Sequence, residues 1–442
     1  KEFERYGNRT VASFLRMVGA EMPSNSDMIK WAEQGRLHTK YTGCVATGFA
    51  AGVAVATWLI PAAQVNPGAP ASTAPANGFT AVRVGQTVMI SDETAASTLS
   101  NKAIVTNVAA AAAAGTYAVT VAYYDQGGQT MGAAANCTMF IYGSEFQKGT
   151  NGMQGSIEAQ DFIFDNNPII IKDTYQVNGS DMAQIGWVEV TTENGGSGYL
   201  WYLKSEHETR LRFEDYLETA MVEAVPATVG GVGSGAATAG FNGSDGIFYV
   251  VNSRGNVWNG GNPVALAGFD SVIQRLDKQG AIEENVIFCN RQFSFDIDDM
   301  LAAQNSYGAG GTSYGLFDND EEMALNLGFT GFRRGYDFYK SDWKYLNDPT
   351  MRGGLTGGAI NGLMVPAGST TVYDQILGKN AKRPFLHVRY RASETEDRRY
   401  KTWITGSAGG ARTSDLDAMT VNFLSERAVC TLGANNFFLF RD

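Results

Sequence analysis

The stretch that most constrains the fold is Trp201 to Pro226, which its spacing predicts as one long amphipathic helix. Leu211, Phe213, Leu217, Ala220, Met221 and Ala224 recur three or four positions apart, so they share one helical face. Ser205 and Glu208 fit an S-x-x-E capping box, predicted to satisfy orphan backbone donors at the helix start. Glu206 with Arg210, Glu208 with Arg212 and Arg210 with Glu214 stand four apart on the outer face. Each such pair contributes roughly 0.2–0.5 kcal/mol. Pro226 ends the pattern because it has no N–H to donate. A helix of this kind must lay its stripe on another layer. The flanking sequence offers strands not in strict alternation with helices, so the class is α+β.

In chain order, Lys1 to Met22 reads as an arm with a short helix at Thr10 to Val18. Ser24 or Ser26 then caps a second short helix, Asp27 to Gln34. After Lys40 the composition turns to Ala, Gly, Thr and Val. Thr80 to Ser91, Ala103 to Val108, Thr116 to Tyr124 and Cys137 to Tyr142 read as strands of a small antiparallel barrel or sandwich. Cys44 to Ile60 is uncharged, but too short and too diluted by glycine and threonine for a spanning helix, and reads as buried strand. Ile157 to Phe164 and Ile169 to Val177 flank Asp165-Asn166-Asn167-Pro168, a hairpin signal. Trp187 to Thr192 and Tyr199 to Leu203 bracket a glycine-rich turn. Beyond the long helix, Ile247 to Val251 and Val286 to Cys289 read as strands, and Gly268 to Gln279 and Asp296 to Gln304 as helices. Further strands are expected at Phe329 to Phe332, Asp337 to Tyr339, Gly362 to Val365, Phe385 to Tyr390 and Arg399 to Thr405. Met419 to Cys430 and Phe437 to Phe440 complete the set.

At 442 residues the chain is long enough for two or three domains with sizeable cores. A net charge of −11 argues against sequence-independent nucleic-acid binding, which depends on cations at phosphate. Cys44, Cys137, Cys289 and Cys430 are scattered without CxxC spacing, which fits a reduced, intracellular setting and yields no readable metal site. Lys1 to Arg16 lacks the apolar core of a signal peptide. Gly311-Thr312-Ser313-Tyr314-Gly315 fits the G-x-S-x-G nucleophile elbow, and Asp374 and His387 follow in hydrolase order. No strand–elbow–helix context surrounds it, so a catalytic assignment is not made and an esterase built on Ser313, Asp374 and His387 stands as the alternative of another class. Gly230 to Gly240 lacks the G-K-[S/T] ending of a phosphate loop. Asp318, Asp320, Glu321 and Glu322 miss calcium-loop spacing. Lys379 to Lys401 is basic but interrupted by Glu394, Glu396 and Asp397, which suits ion pairs between subunits as well as nucleic-acid contact. No catalytic, cofactor-binding or metal-binding residue is assigned. A secreted β-rich adhesin would show repeats or a signal peptide, and neither is read.

The order of parts (arm, extended loop, long helix, mixed domain, returning strands) resembles the major capsid proteins of tailed bacteriophages with the Hong Kong 97-type fold. Gly19-Ala20-Glu21-Met22-Pro23, the run Trp31 to His38, and Leu432-Gly433-Ala434-Asn435-Asn436-Phe437 are similar to wording in capsid proteins of the crAss-like phage group. The resemblance implies an N-terminal arm at 1–40 and an inserted β-rich module at 41–150. It then implies an extended loop at 151–202, a spine helix and peripheral domain at 203–245, an axial domain at 246–400 and return strands at 401–442. It also implies self-assembly as hexamers and pentamers into an icosahedral shell around double-stranded DNA, with portal and decoration proteins as partners, no cofactor and no membrane. The setting it implies is the virion, assembled in the host cytoplasm. An encapsulin-like cellular compartment is a close variant. Some relatives carry Lys–Asn cross-links, and no residue here is matched to either partner.

Overall fold

The computed structural model describes residues 21–34, 40–47, 54–61, 80–93, 100–110, 117–125, 136–153, 161–183, 190–191, 197–198, 201–227, 235–305, 331–355, 357–374, 379–410 and 412–441. The chain divides into two compact units, Ala32–Phe164 and the remainder, Lys1–Trp31 with Asp165–Asp442. The expected helix Thr10 to Val18 lies outside the described residues. Residues at Asp27 to Gln34, expected as helix, instead form strand β2 (Ile29–Gln34), preceded by strand β1 (Glu21–Ser24). Ser26 closes a tight turn before β2, its hydroxyl donating to the Met28 carbonyl at 2.7 Å. Ile29 and Trp31 are then available to pack on Ala428 and Cys430, which favours the extended form.

Six strands of the smaller unit close into a barrel: β3 (Lys40–Thr47), β4 (Val55–Ile60), β5 (Gln86–Asp92), β6 (Ser100–Ala110), β7 (Tyr117–Tyr123) and β8 (Cys137–Ser144). All neighbours are antiparallel, in the order β3-β4-β7-β6-β5-β8, with β8 returning to β3. Period-2 alternation sends Trp58, Ile60, Val88, Ile90, Ala103, Val105, Val119, Val121 and Met139 inward, all at most 1% exposed. Cys44 to Ile60 thus contributes to two strands, β3 and β4. A closed barrel leaves no sheet edge unpaired, and its core is complete within the unit.

In the larger unit, β9 (Asp161–Asn166) and β10 (Ile169–Asn178) do not form the expected hairpin. β9 pairs with β2, whereas β10 pairs with β22 (Ala418–Thr431). The reason is Asn166, which is 4% exposed and serves distant groups rather than a local turn. Its Nδ2 donates to the carbonyls of Asp245 and Val429 at 3.1 and 2.7 Å. Its Oδ1 accepts from Ser244 Oγ and the Asp245 N–H at 3.0 and 2.8 Å. Of the expected strands Trp187 to Thr192 and Tyr199 to Leu203, the described part of the first is β11 (Val190–Thr191), which pairs with β12 (Ser197–Gly198), whereas Trp201 to Leu203 is helical because it opens the long helix.

The long helix, α1, spans Trp201–Glu223. It starts before Ser205, which is therefore not a cap. Inside the helix the Ser205 carbonyl accepts Thr209 Oγ1 at 2.9 Å, and its side chain hydrogen-bonds Tyr175 of β10. The buried stripe is Thr209, Phe213, Leu217 and Met221, while Leu211 is only half-buried. Phe213 stacks on Phe423 of β22 at 5.6 Å, and Leu217 joins Val177, Met419 and Val421. Arg210 pairs with Glu214 at 3.7 Å, but Arg212 turns to β10 and grips Asp173 with two hydrogen bonds of 2.9 and 3.0 Å.

β22 is the middle of a five-stranded sheet. It pairs with β10 along one edge, and with β20 (Leu386–Arg391) and β21 (Lys401–Gly406) along the other, while β1 adds in parallel to β20. A second, six-stranded sheet runs β13-β23-β17-β14-β16-β15. These are β13 (Asn256–Asn259), β14 (Glu284–Cys289), β15 (Gly331–Arg334), β16 (Tyr336–Asp342), β17 (Ile360–Pro366) and β23 (Phe438–Arg441). Its alternating residues feed two cores. Ile287, Cys289, Met364, Phe438 and Phe440 face helices α3 (Leu266–Gln279) and α4 (Arg291–Asn305). Phe288, Leu363, Val365 and Leu439 face helix α2 (Ile247–Arg254) and Trp343. Asn290 caps α4, its Oδ1 accepting the Phe293 N–H at 2.7 Å.

Ile247 to Val251, expected as strand, is helical because both sides of it are buried: Ile247, Phe248, Val250 and Val251 all pack inward. The expected return segment 401–442 divides, with β21 and β22 in the first sheet and β23 in the second. Likewise β20, within the expected 246–400 domain, belongs to the sheet under α1. Strands β18 (Ser369–Asp374) and β19 (Lys379–Pro384) form a separate two-stranded ribbon.

Two outcomes follow from this packing. Leu217→Ala should lower stability by about 2–5 kcal/mol in urea unfolding, and Leu211→Ala clearly less. Residues 32–164 expressed alone should melt cooperatively, since the barrel core is made within them; a non-cooperative melt would show that the unit borrows its core from elsewhere.

Candidate functional site

The residues of the hydrolase alternative do not assemble into a visible site. Ser313 lies outside the described residues, as do Asp318, Asp320, Glu321 and Glu322. Asp374 ends β18, register partner of Lys379 in the two-stranded ribbon, whereas His387 sits in β20 of the five-stranded sheet. His387 is 1% exposed. Its Nδ1 is 3.2 Å from the Pro384 carbonyl oxygen, and its Nε2 accepts from Arg389 Nε at 3.4 Å. A base in that position has no path to a substrate. Of Gly230 to Gly240, residues 235–240 are described, and Gly235–Thr238 forms one helical turn. Among the described residues no cluster of three metal-ligating side chains occurs, and no helix is long and apolar enough to cross a membrane.

Four cations of the stretch Lys379 to Lys401, read from sequence as suited to ion pairs between subunits or to nucleic-acid contact, pair within the chain: Arg391, Arg398, Arg399 and Lys401. Arg398 meets Glu426 at 2.6 Å, and Arg391 reaches both Glu426, at 3.9 Å, and Asp27. Arg399 and Arg427 both pair with Glu21 of β1, and Lys401 with Glu396 at 2.8 Å. These bonds fix the start of the described chain onto β20 and β22. No local pattern points to Glu21 as the partner, because the two segments lie at opposite ends of the chain.

A second polar node holds the end of α1. Arg352 Nη1 contacts both carboxylate oxygens of Glu223 at 2.6 Å, and Tyr345 Oη donates to Glu223 Oε1 at 2.8 Å. The Arg352 guanidinium also lies 5.1 Å over the Phe248 ring of α2. Burial, then the adjacent Glu223 carboxylate, pushes the Tyr345 phenol well above its usual value. The node couples α1 to the second sheet's core.

The larger unit presents an extended strand, β10, whose exposed positions include Ile170, Lys172, Thr174 and Gln176. β10 is an edge strand of 10 residues, hydrogen-bonded to β22 on one side only among the described residues. Its register places Ile170 on the sheet face turned away from α1, together with Trp403 of β21. Ile170 is 54% and Trp403 37% exposed. On the helix side, Ile171, Tyr216, Thr219, Ala220 and Ala224 line a shallow groove between β10 and α1. A long edge strand beside apolar side chains is a template for pairing with another chain. Sequence reading found the strand from Ile169 to Val177 but placed it in a hairpin, and no local pattern marks which edge of a strand stays unpaired.

No family model matches the chain, and no curated protein matches it. Solved structures that resemble part of it include the bacteriophage PhiM1 mature capsid, with 9% identity and a TM-score of 0.34 over 67% of this chain and 78% of that chain. The capsid structure of cyanophage P-SCSP1u gives 9% and 0.34 over 68% and 80%. A Gordonia phage Cozz chain gives 10% and 0.36 over 68% and 77%. Likenesses at these scores fix neither fold nor function.

The Glu223 node gives a pH signature. The folded-state value of Tyr345 is the higher one, so its contribution is intact below the usual value of 10.0 and is lost as pH rises through the folded value. Unfolding free energy measured from neutral to strongly alkaline pH should therefore decline above pH 10.0, and Tyr345→Phe should make that decline shallower. An unchanged slope in the variant would remove Tyr345 from the alkaline transition.

Proposed function

We propose that the chain is the structural subunit of a viral capsid, assembling with itself into a closed icosahedral shell around double-stranded DNA. The observation that carries the reading is the long edge strand β10, paired on one side only among the described residues, with Ile170 exposed on it and Trp403 exposed on the same sheet face, a surface suited to another subunit. The same sheet carries α1 across its other face, in keeping with the spine-helix arrangement that the sequence resemblance implies. In this reading the chain has a Hong Kong 97-type fold, from a tailed phage of the crAss-like group. The barrel at residues 40–144 is the inserted module, offered to neighbours or decoration proteins. Subunits cluster as hexamers and pentamers in the virion, with a portal at one vertex, after assembly in the host cytoplasm. The net charge of −11 suits a container that holds DNA without gripping it.

Sedimentation tests the proposal. The purified chain should move into large particles as concentration rises, and Ile170→Asp should keep it as folded subunits. Deleting residues 1–20 spares β1 and the core residue Ile29, so the truncated chain should fold normally but fail to close shells. A full-length chain that stays monomeric at all concentrations and salts would count against the proposal.

A further inference from the structure

Cys44 and Cys137 are direct register partners where β3 meets β8, the seam that joins the barrel's first and last strands. Residues opposite each other across an antiparallel pair have Cα atoms about 4.5–5.5 Å apart. A disulfide needs about 4.4–6.8 Å. Both side chains are 0% exposed and belong to the same barrel core, so the two sulfurs point to one face. The seam is also irregular: pairing shifts between Tyr41 and Cys44, at Gly43 with its φ of 69°. We propose that Cys44 and Cys137 are a latent cross-strand disulfide site, a covalent closure for the barrel that forms with a disulfide oxidant such as oxidised glutathione.

In the structure both are thiols. Burial pushes Cys44 up to about 12, with Cys137 nearby adding to the rise, and burial pushes Cys137 up to about 11. The thiolate is the reactive form, so the closed barrel protects the pair and reaction waits on local opening. Once open, one thiolate attacks a sulfur of oxidised glutathione, forming a mixed disulfide and releasing one glutathione thiolate. The second cysteine, losing its proton, then attacks the protein sulfur of that mixed disulfide and expels a second glutathione thiolate. Two protein thiols are oxidised and one glutathione disulfide is reduced to two thiols. Cys289 and Cys430 belong to the other compact unit and have no cysteine as register partner.

The test incubates the full-length chain with oxidised glutathione in urea just below the unfolding midpoint, then alkylates and digests it. A peptide joining Cys44 to Cys137 is expected, lost on reduction and absent from Cys44→Ala. The double variant Cys289→Ala, Cys430→Ala should still give it, which keeps the test sound if Cys44→Ala folds poorly. Closing a loop of about 90 residues should also slow amide exchange through global opening of the barrel by on the order of a thousandfold. Glutathione adducts at Cys44 or Cys137 without the joined peptide, or a joined peptide with unchanged barrel exchange, would overturn the proposal.

Discussion

The structure of the larger unit depends on the burial of β22 between strands on both edges. Its 14 residues are bonded to β10 over Ala418–Arg427 on one side, and to β21 and β20 on the other. Because a buried backbone donor or acceptor left unpaired costs about 1–3 kcal/mol, a strand this deep must have neighbours along its length. Of those neighbours, β20 and β21 shortly precede β22 in sequence, whereas β10 comes from before the long helix. α1 completes the enclosure by laying Phe213 and Leu217 on Phe423 and Val421.

Satisfying β22 moves the unsatisfied groups outward. Among the described residues β10 keeps an open edge, and the alternation that turns Ile171 and Val177 toward α1 turns Ile170 to solvent. Charges follow the opposite course: Arg391, Arg398, Arg399 and Arg427 are consumed by Glu21, Asp27 and Glu426 inside the unit. The exposed surface is thus better suited to backbone pairing and apolar contact than to gripping phosphate. His387, the residue best placed by type to act as a base, is enclosed in the sheet. The proposed self-association draws on the exposed strand and not on any of these enclosed groups.

Much of this was legible in the sequence where the signal is local. The stripe of α1, the helix α3 ending at a left-handed Gly280, and most strands from Gln86 to Ser144 follow from periodicity and turn residues. Reading failed where distant partners decide. Ile247 to Val251 has strand propensity, yet as a helix it buries Ile247, Phe248, Val250 and Val251 together, with Ile247, Phe248 and Val251 in one core. Asp165-Asn166-Asn167-Pro168 has the composition of a turn, but Asn166 spends its hydrogen bonds on Ser244, Asp245 and Val429. Ser205 matches a capping box, but Trp201 to Lys204 precede it in the helix, and its side chain is used by Tyr175. The open edge of β10 could not be read because an edge is defined by what fails to pair.

Electron microscopy of the purified full-length chain measures the central claim most directly. Closed shells built of five- and six-fold clusters are expected. Separate subunits under every assembly condition tried, or open ribbons that never close, would contradict a shell-forming role.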